Sequence, residues 1–280
     1  MNLNSLRPLI QGALEEDIGR GDITSEALFP SSLKGRAQIV AKEEGLLAGV
    51  EVAKEVFRLS SSGSMKFIHS LKDGDLVGRN KAVLIMEGGA SSILRGERVA
   101  LNFLSRLSGI ATLTRKYVDL VKDLEMRILD TRKTSPNLRV LEKYAVKTGG
   151  GVNHRFGLDD GILIKDNHIK ICGGVGEAVK RARKNLSPLL KIEVEVENLA
   201  QLEEAIAAGA DIIMLDNMEK GRMREAVSRI RGQKRHILIE ASGGINLENV
   251  RDVAETGVDF ISVGGLTHSA ASLNFALEMM

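Results

Sequence analysis

At 280 residues, with 43% hydrophobic content, few aromatics and only four prolines, the chain reads as a folded soluble protein, long enough for one barrel or two domains and unlike a disordered or fibrous one. Its net charge of +2, from 39 basic and 37 acidic residues, argues against a general nucleic-acid surface, and no apolar run approaches the roughly 18 residues of a membrane span. The opening "MNLNSLRPLI" lacks the basic and apolar regions of a signal peptide, which makes the cytoplasm the expected compartment, and a single cysteine, Cys172, allows neither an intrachain disulfide nor a cysteine-based zinc site.

From the N terminus, the pattern of "NSLRPLIQGALEED" predicts a helix, and "IGRGDIT" a loop. "GRAQIVAKEEG" and "SMKFIHSLKDGDLV" read as strands around a helix "VEVAKEVFRLS", and "NKAVLIMEGGASSIL" adds another strand and a turn. Residues 1–108 are therefore expected to form an N-terminal mixed α+β domain with antiparallel hairpins. A long helical pattern from Arg95 to Lys122 bridges to the rest. Beyond Arg127, short β-branched runs ("MRILD", "GILIK", "LLKIEVEV", "DIIMLD", "HILIEAS", "DFISVGG") alternate with helical patterns, several closing on Gly209, Gly232 or Gly257. The helical set begins with "NLRVLEKYAVKTG" and ends with "THSAASLNFALEMM", a C-terminal helix that can pack back on the N-terminal domain. Six strand-then-helix units predict a parallel sheet with helical crossovers over residues 109–280, an α/β domain.

Positive charge concentrates in "ILDTRKTSPNLRVLEKYAVKTGGGVNHRFGLDDGILIKDNHI": between Asp130 and Lys170 eight Lys and Arg face five acids, a local +3 that leaves about −1 elsewhere. Parallel sheets bind ligands at the carboxyl ends of their strands, where loops and helix N-termini converge. Those ends carry Thr131, Arg132 and Lys133, then Lys165, Asp216, the turn Ser242, Gly243 and Gly244, and finally Gly264 and Gly265. Alternation in "IEVEVE" puts Ile192, Val194 and Val196 on one face and Glu193, Glu195 and Glu197 on the other.

Each glycine turn precedes an expected helix, so its backbone N–H groups suit a phosphate. A tight βα turn explains either alone, but two in consecutive late units point to phosphate. Glu195 and Asp216 beside a phosphate would repel it unless a cation intervenes, which suggests Mg2+ held through ligand oxygens and water; a solvated or capping acid is the plainer alternative for each. Arg suits bidentate anion recognition and Lys supplies a movable point charge, so Arg132, Lys133, Arg155 and Lys165, with His154 and His168, imply a ligand with several negative charges. Lys143, Lys147 and Lys170 read as solvated surface, and Cys172 as inert.

The blocks "EDIGRGDITSEAL", "ERVALNFLSRLSGIAT", "DTRKT", "NHRFGL", "LIKDNHI", "EVEVEN", "IMLDNM", "EASGGIN" and "ISVGGLTHS" together resemble the quinolinate phosphoribosyltransferase family, over about residues 13 to 275. One departure, "TSPNLR" in place of "TTPGLR", puts little in doubt, because Asn tolerates a left-handed turn almost as Gly does. The resemblance implies an incomplete, open parallel βα barrel preceded by an N-terminal α+β domain. It also implies a homodimer in which the partner's N-terminal domain closes each site. The implied reaction joins quinolinate to phosphoribosyl pyrophosphate and releases pyrophosphate and carbon dioxide, leaving nicotinate mononucleotide.

Carried over residue by residue, the resemblance assigns quinolinate to Arg98, Thr131, Arg132, His154, Arg155 and Lys165, with Arg98 reaching across the dimer. Phosphoribosyl pyrophosphate falls to Lys133, Glu195, Asp216, Ser242, Gly243, Gly244, Gly264 and Gly265, with Mg2+ near Glu195 and Asp216. Glu195 or Asp216 would stabilise the oxocarbenium-like transition state, and Lys133 or Lys165 would protonate the decarboxylated carbon. Three other readings compete: a paralogous group associated with molybdate uptake, a barrel aldolase with Lys165 or Lys133 as Schiff-base nucleophile, and a non-catalytic phosphate sensor.

Overall fold

A computed structural model describes residues 2–61, 64–185, 187 and 189–280. In chain order the first stretch forms α1 (Leu3–Ile18), α2 (Ile23–Leu28), β1 (Lys34–Ala41), β2 (Gly45–Leu46), α3 (Val50–Ser60), β3 (Lys66–Ser70), β4 (Leu76–Val77), β5 (Ala82–Gly89) and the long α4 (Ala90–Val121). There follow β6 (Arg127–Leu129), α5 (Arg139–Thr148), β7 (Ile162–Ile164), α6 (Asp166–Cys172), α7 (Val175–Asn185), β8 (Ile192–Val196), α8 (Leu199–Ala208) and β9 (Ile212–Asp216). The chain ends with α9 (Lys220–Arg231), β10 (Leu238–Ser242), α10 (Val250–Ala254), β11 (Phe260–Ser262), α11 (Gly265–His268) and β12 (Phe275–Met279). No helix among the described residues is long and apolar enough to cross a membrane.

Two compact units result, and the chain passes between them more than once. The first contains Met1–Arg115, Ser135–Gly150 and Ser269–Met280, the second Lys116–Thr134 and Gly151–His268. Residues 135–150 and 269–280, beyond the expected boundary at 108, return to the first unit, and the long α4 runs from one unit into the other.

In the first unit, α1 starts where the Asn2 side chain accepts from Asn4 N–H, and it buries Leu6, Ile10 and Leu14, spaced one helical turn apart. The sheet has the order β12-β1-β5-β3, with β1 antiparallel to both its neighbours. Its edge strand corrects the expected C-terminal helix: residues 275–279 are extended and pair with β1 from Ala37↔Met279 to Ala41↔Phe275. Ala, Leu, Glu and Met are good helix formers, but the unpaired N–H and C=O groups of β1 offer a ladder that local propensity cannot match. Phe275 is buried there, and Glu278 pairs with Lys42 at 2.6 Å.

The expected first crossover helix forms as α5 but belongs to this unit. Its Glu142, fully buried, accepts two hydrogen bonds from Arg106 and one from Ser135 N–H. Lys143, expected on a solvated surface, is buried on the same helix. Asn137, in the turn before it, takes the left-handed conformation (φ 62°) in which Asn can replace Gly.

The second unit is built on a six-stranded sheet of order β6-β11-β10-β9-β8-β7, parallel throughout. Strands β6 and β7 are consecutive in sequence yet sit at opposite edges, so the sheet is that of a βα barrel left open between them. Ile192, Val194, Ile213, Leu215, Ile239, Ala241 and Ile261 are buried, which gives the nearly continuous apolar strands of a covered parallel sheet. At the amino ends of the strands, equivalent carboxylates brace adjacent units. Asp211 accepts from Ile192 N–H and from Arg183 and Arg235, and Asp259 accepts from Ile239 N–H and Arg231.

Candidate active site

At the carboxyl ends of the same strands a cavity of about 510 Å³ opens within the second unit. Strand order decides what lines it. The two edges supply cations: Arg132 and Lys133 follow β6, Lys165 follows β7, and His154 and Arg155 lie on the segment leading into β7. The middle strands supply the acids and the turn: Glu195 on β8, Asp216 and Asn217 at the end of β9, and Ser242, Gly243 and Gly244 closing β10.

Thr131 Oγ1 accepts from Lys133 N–H, and Thr267 Oγ1 donates to the Lys133 carbonyl, so the loop after β6 is tied on both sides. Lys165 and Glu195 form an ion pair at 2.7 Å. The Arg155 guanidinium donates to the Gly161 carbonyl; burial, and then the charge of Arg132, hold it below the ordinary arginine value, with Glu193 opposing. Asp216 accepts from the Asn217 side chain, and Asn217 N–H donates to the Ser242 carbonyl from a left-handed conformation. Gly243 has a φ of 91°, and a Cβ on it would collide with the Asn217 side-chain oxygen, so this turn requires glycine on two counts.

Beneath these groups lies a polar cluster. Asp130, fully buried after β6, accepts from His154 N–H at 2.8 Å and from the Asn153 amide at 2.6 Å. The His154 ring accepts at Nδ1 from Arg155 N–H at 2.7 Å, so its proton sits on Nε2. That atom lies 3.2 Å from Glu193 Oε2 and 3.5 Å from Glu240 Oε2. Both acids are buried, at 5% and 2% exposure, and the Oε1 atom of each has no hydrogen-bond partner among the described residues. Burial, and then the charge of Glu193, push the Glu240 carboxyl up to about 8, against a smaller opposing effect of His154.

Residues 22–108 match the N-terminal and residues 110–278 the C-terminal domain model of quinolinate phosphoribosyl transferase, together most of the chain. The chain belongs to the quinolinate phosphoribosyltransferase family. A relative from Bacillus subtilis, a probable carboxylating nicotinate-nucleotide pyrophosphorylase, is 47% identical over 279 residues, covering 100% of this chain and 95% of that one. The decarboxylating quinolinate phosphoribosyltransferase 1b of Nicotiana tabacum is 40% identical over 98% of this chain and 82% of its own. The crystal structure of NadC from Streptococcus pyogenes superposes with a TM-score of 0.94 at 42% identity, covering 100% of this chain and 98% of that one.

In this quinolinate phosphoribosyltransferase family member the cavity gathers Thr131, Arg132, Lys133, His154, Arg155, Lys165, Glu195, Asp216, Ser242, Gly243 and Gly244, all of them expected from the sequence. Four expected residues do not line it. Gly264 and Gly265 lie just beyond β11, where a Cβ on Gly264 would come 3.0 Å from Lys133 Cδ, so this glycine makes room for the lysine. Arg98 is exposed on α4, in the first unit. His168 also has a different task, accepting at Nδ1 from Lys165 N–H at the start of α6. The helices after the glycine turns, α10 and α11, have only five and four residues, so any anion there meets turn N–H groups more than a helix dipole. Sequence reasoning missed Asn217, Glu240 and Ser262 as lining residues and the burial of Glu193. Period-two alternation was the available signal, since Glu240 shares a face with Ser242, and Glu193 with Glu195.

Proposed function

We propose that this chain transfers a phosphoribosyl group from phosphoribosyl pyrophosphate to quinolinate with decarboxylation, giving nicotinate mononucleotide, pyrophosphate and carbon dioxide in NAD synthesis, and that it acts as a cytoplasmic homodimer. The observation that carries the reading is the division of one cavity between guanidinium groups at the sheet edges and acids with a glycine turn at its centre. Two negative ligands, one a dicarboxylate and one a sugar polyphosphate, answer that division.

Arg132 and Arg155, with Thr131 at the same end, bind the carboxylates of quinolinate and orient the ring nitrogen toward C1 of the ribose, while His154, both of whose ring nitrogens are engaged, lines that end and supports Arg155. Lys133 and the N–H groups of Ser242, Gly243 and Gly244 bind phosphate oxygens; Gly264 lets the Lys133 chain pass. The nitrogen attacks as pyrophosphate departs, and positive charge develops on the ribose. Glu195 and Asp216 stabilise that charge, and Lys165 holds Glu195 in place through their ion pair. Carbon dioxide then leaves from C2, the electron pair of the broken bond stays on that carbon beside the positively charged pyridinium nitrogen that stabilises it, and Lys133 or Lys165 delivers the proton to it.

The oxygen-only donor set of Glu195 and Asp216 suits Mg2+, although Glu195 already has Lys165 as a counter-ion, so the fit is through substrate oxygens and water more than through direct ligation. When bound, Mg2+ supplies charge neutralisation on the departing pyrophosphate. Arg98, exposed on α4, is proposed to complete the quinolinate site of the partner subunit. The test is incubation with carboxyl-labelled quinolinate, phosphoribosyl pyrophosphate and Mg2+. Labelled carbon dioxide and nicotinate mononucleotide in equal amounts are expected; folded protein that forms neither would sink the reading.

A further inference from the structure

Glu193 and Glu240 are buried acids for which the reaction above has no use. They project from β8 and β10 on the face that carries Glu195 and Ser242, and with His154 they bring a ring nitrogen and two carboxylate oxygens within 4.8 Å of one another. Burying two carboxylates beneath a cavity built to attract anions works against binding unless they do something else.

We propose that Glu193 and Glu240 are positioning residues that hold His154 in a single tautomer, and that His154 in turn fixes the backbone from which Arg155 reaches the dicarboxylate end of the cavity. The chain of contacts is continuous. Nε2–H points at Glu193 Oε2 and Glu240 Oε2, Nδ1 receives Arg155 N–H, and Asp130 holds the backbone N–H of His154 and the side chain of Asn153 from the other side. Segment 153–155 is thereby held through side chains and backbone alike. One carboxylate would suffice to accept the imidazole proton. The second explains how that carboxylate tolerates burial: a neutral carboxylic acid beside it can donate a hydrogen bond without placing a second negative charge under a dianionic substrate. A hydrophobic replacement would leave Nε2–H without its acceptors and release the ring.

The proposal rests on the quinolinate reading only in naming which substrate should suffer. In steady-state kinetics, Glu193→Ala and Glu240→Ala should raise the quinolinate KM by about tenfold or more, with the phosphoribosyl pyrophosphate KM changed by less than about threefold. Glu240→Gln, which keeps a neutral hydrogen-bonding group, should recover the larger part of the loss. Independently of turnover, 15N-histidine NMR of the full-length protein should show His154 as the Nε2–H tautomer, its signal assigned by its disappearance in His154→Gln. The double alanine variant should turn it into a tautomer mixture. If an alanine variant does not fold, the wild-type tautomer and the glutamine variant still decide. An Nδ1–H tautomer in the wild type would overturn the proposal, as would equal rises in both KM values. So would a stoichiometric metal ion that survives chelation and disappears in the variants. A wild-type protein inactive on quinolinate would defeat the functional reading instead, leaving the tautomer as the test of this one.

Discussion

Arg155 loses hydration on burial and faces the like charge of Arg132, and its lowered pKa reports both. Such an arrangement is relieved by an anion lying between the two guanidinium groups. Arg155→Ala should therefore reduce kcat/KM for quinolinate by roughly tenfold to a hundredfold, with a smaller effect on phosphoribosyl pyrophosphate binding. Titration of each ligand separately checks this, and equal weakening of both would move Arg155 to the phosphate side. Glu240 sets a second expectation, for stability against pH. Its folded value, about 8, lies above the ordinary glutamate value of 4.5, so its contribution is fully present below the lower value and is lost as pH rises through the upper one. Glu193 and His154 are the titratable groups facing it, and a Gln at position 240 has no proton to lose. Thermal melts of wild type and Glu240→Gln from pH 5 to 8 should show the difference in Tm moving in favour of the variant as pH rises. A constant difference would mean that Glu240 is ionised in the folded protein throughout. The strand-end cations were legible because a charge bordering an apolar run marks the point where a buried strand emerges into a loop. The two buried acids were not, because an acid in "ILIEAS" or "IEVEVE" reads as the exposed side of an alternating strand until neighbouring strands close over it.

Strand β12 shows how far an element can depart from its local preference. Its five residues end the chain and look helical, yet they form the edge of the first unit's sheet, where Phe275 is buried and Leu277 sits opposite Ile39. Removing residues 275–280 should lower Tm by roughly 10 °C, from the lost aromatic burial and the lost ladder. It should also expose β1 as a new edge that promotes association. Calorimetry and light scattering on the truncated protein measure the two effects, and Ala276→Pro, opposite Val40 where the strand's N–H faces β1, should reproduce both in part by removing one N–H and opposing extended pairing. An unchanged melting profile would mean that the strand adds nothing to the unit. The βα units of the second unit followed their sequence more closely, since apolar runs of three to five residues bounded by glycine turns leave a parallel strand little alternative. Even there α6 went unnoticed, being seven residues started by a His168 contact with no strong amphipathic pattern.

A homodimer with shared sites makes a prediction that no single-chain variant can test. Under the proposed reading each site takes Arg98 from one subunit and Glu195 from the other. Arg98→Ala and Glu195→Ala chains, unfolded and refolded together in equal amounts, should give about half mixed dimers. Each mixed dimer carries one site with both residues intact, so about a quarter of all sites should recover wild-type activity. Activity no greater than the sum of the two variants, with mixed dimers confirmed by native mass spectrometry, would assign Arg98 to its own chain.

By itself the sequence determined the six parallel strands, the order in which their ends appear and the cationic character of the first two loops, because these are properties of short apolar runs and of the residues that stop them. It determined the family too, through blocks whose combination leaves little alternative. Only the tertiary structure decided that α5 joins the first unit, that the C-terminal segment joins it as a strand and not a helix, and that Glu193 and Glu240 meet at His154. Each of these depends on groups far apart in sequence satisfying one another. The free edge of β1 receives residues some 240 positions away, Arg106 neutralises a buried Glu142, and two strands that are not adjacent bring their acids to one imidazole.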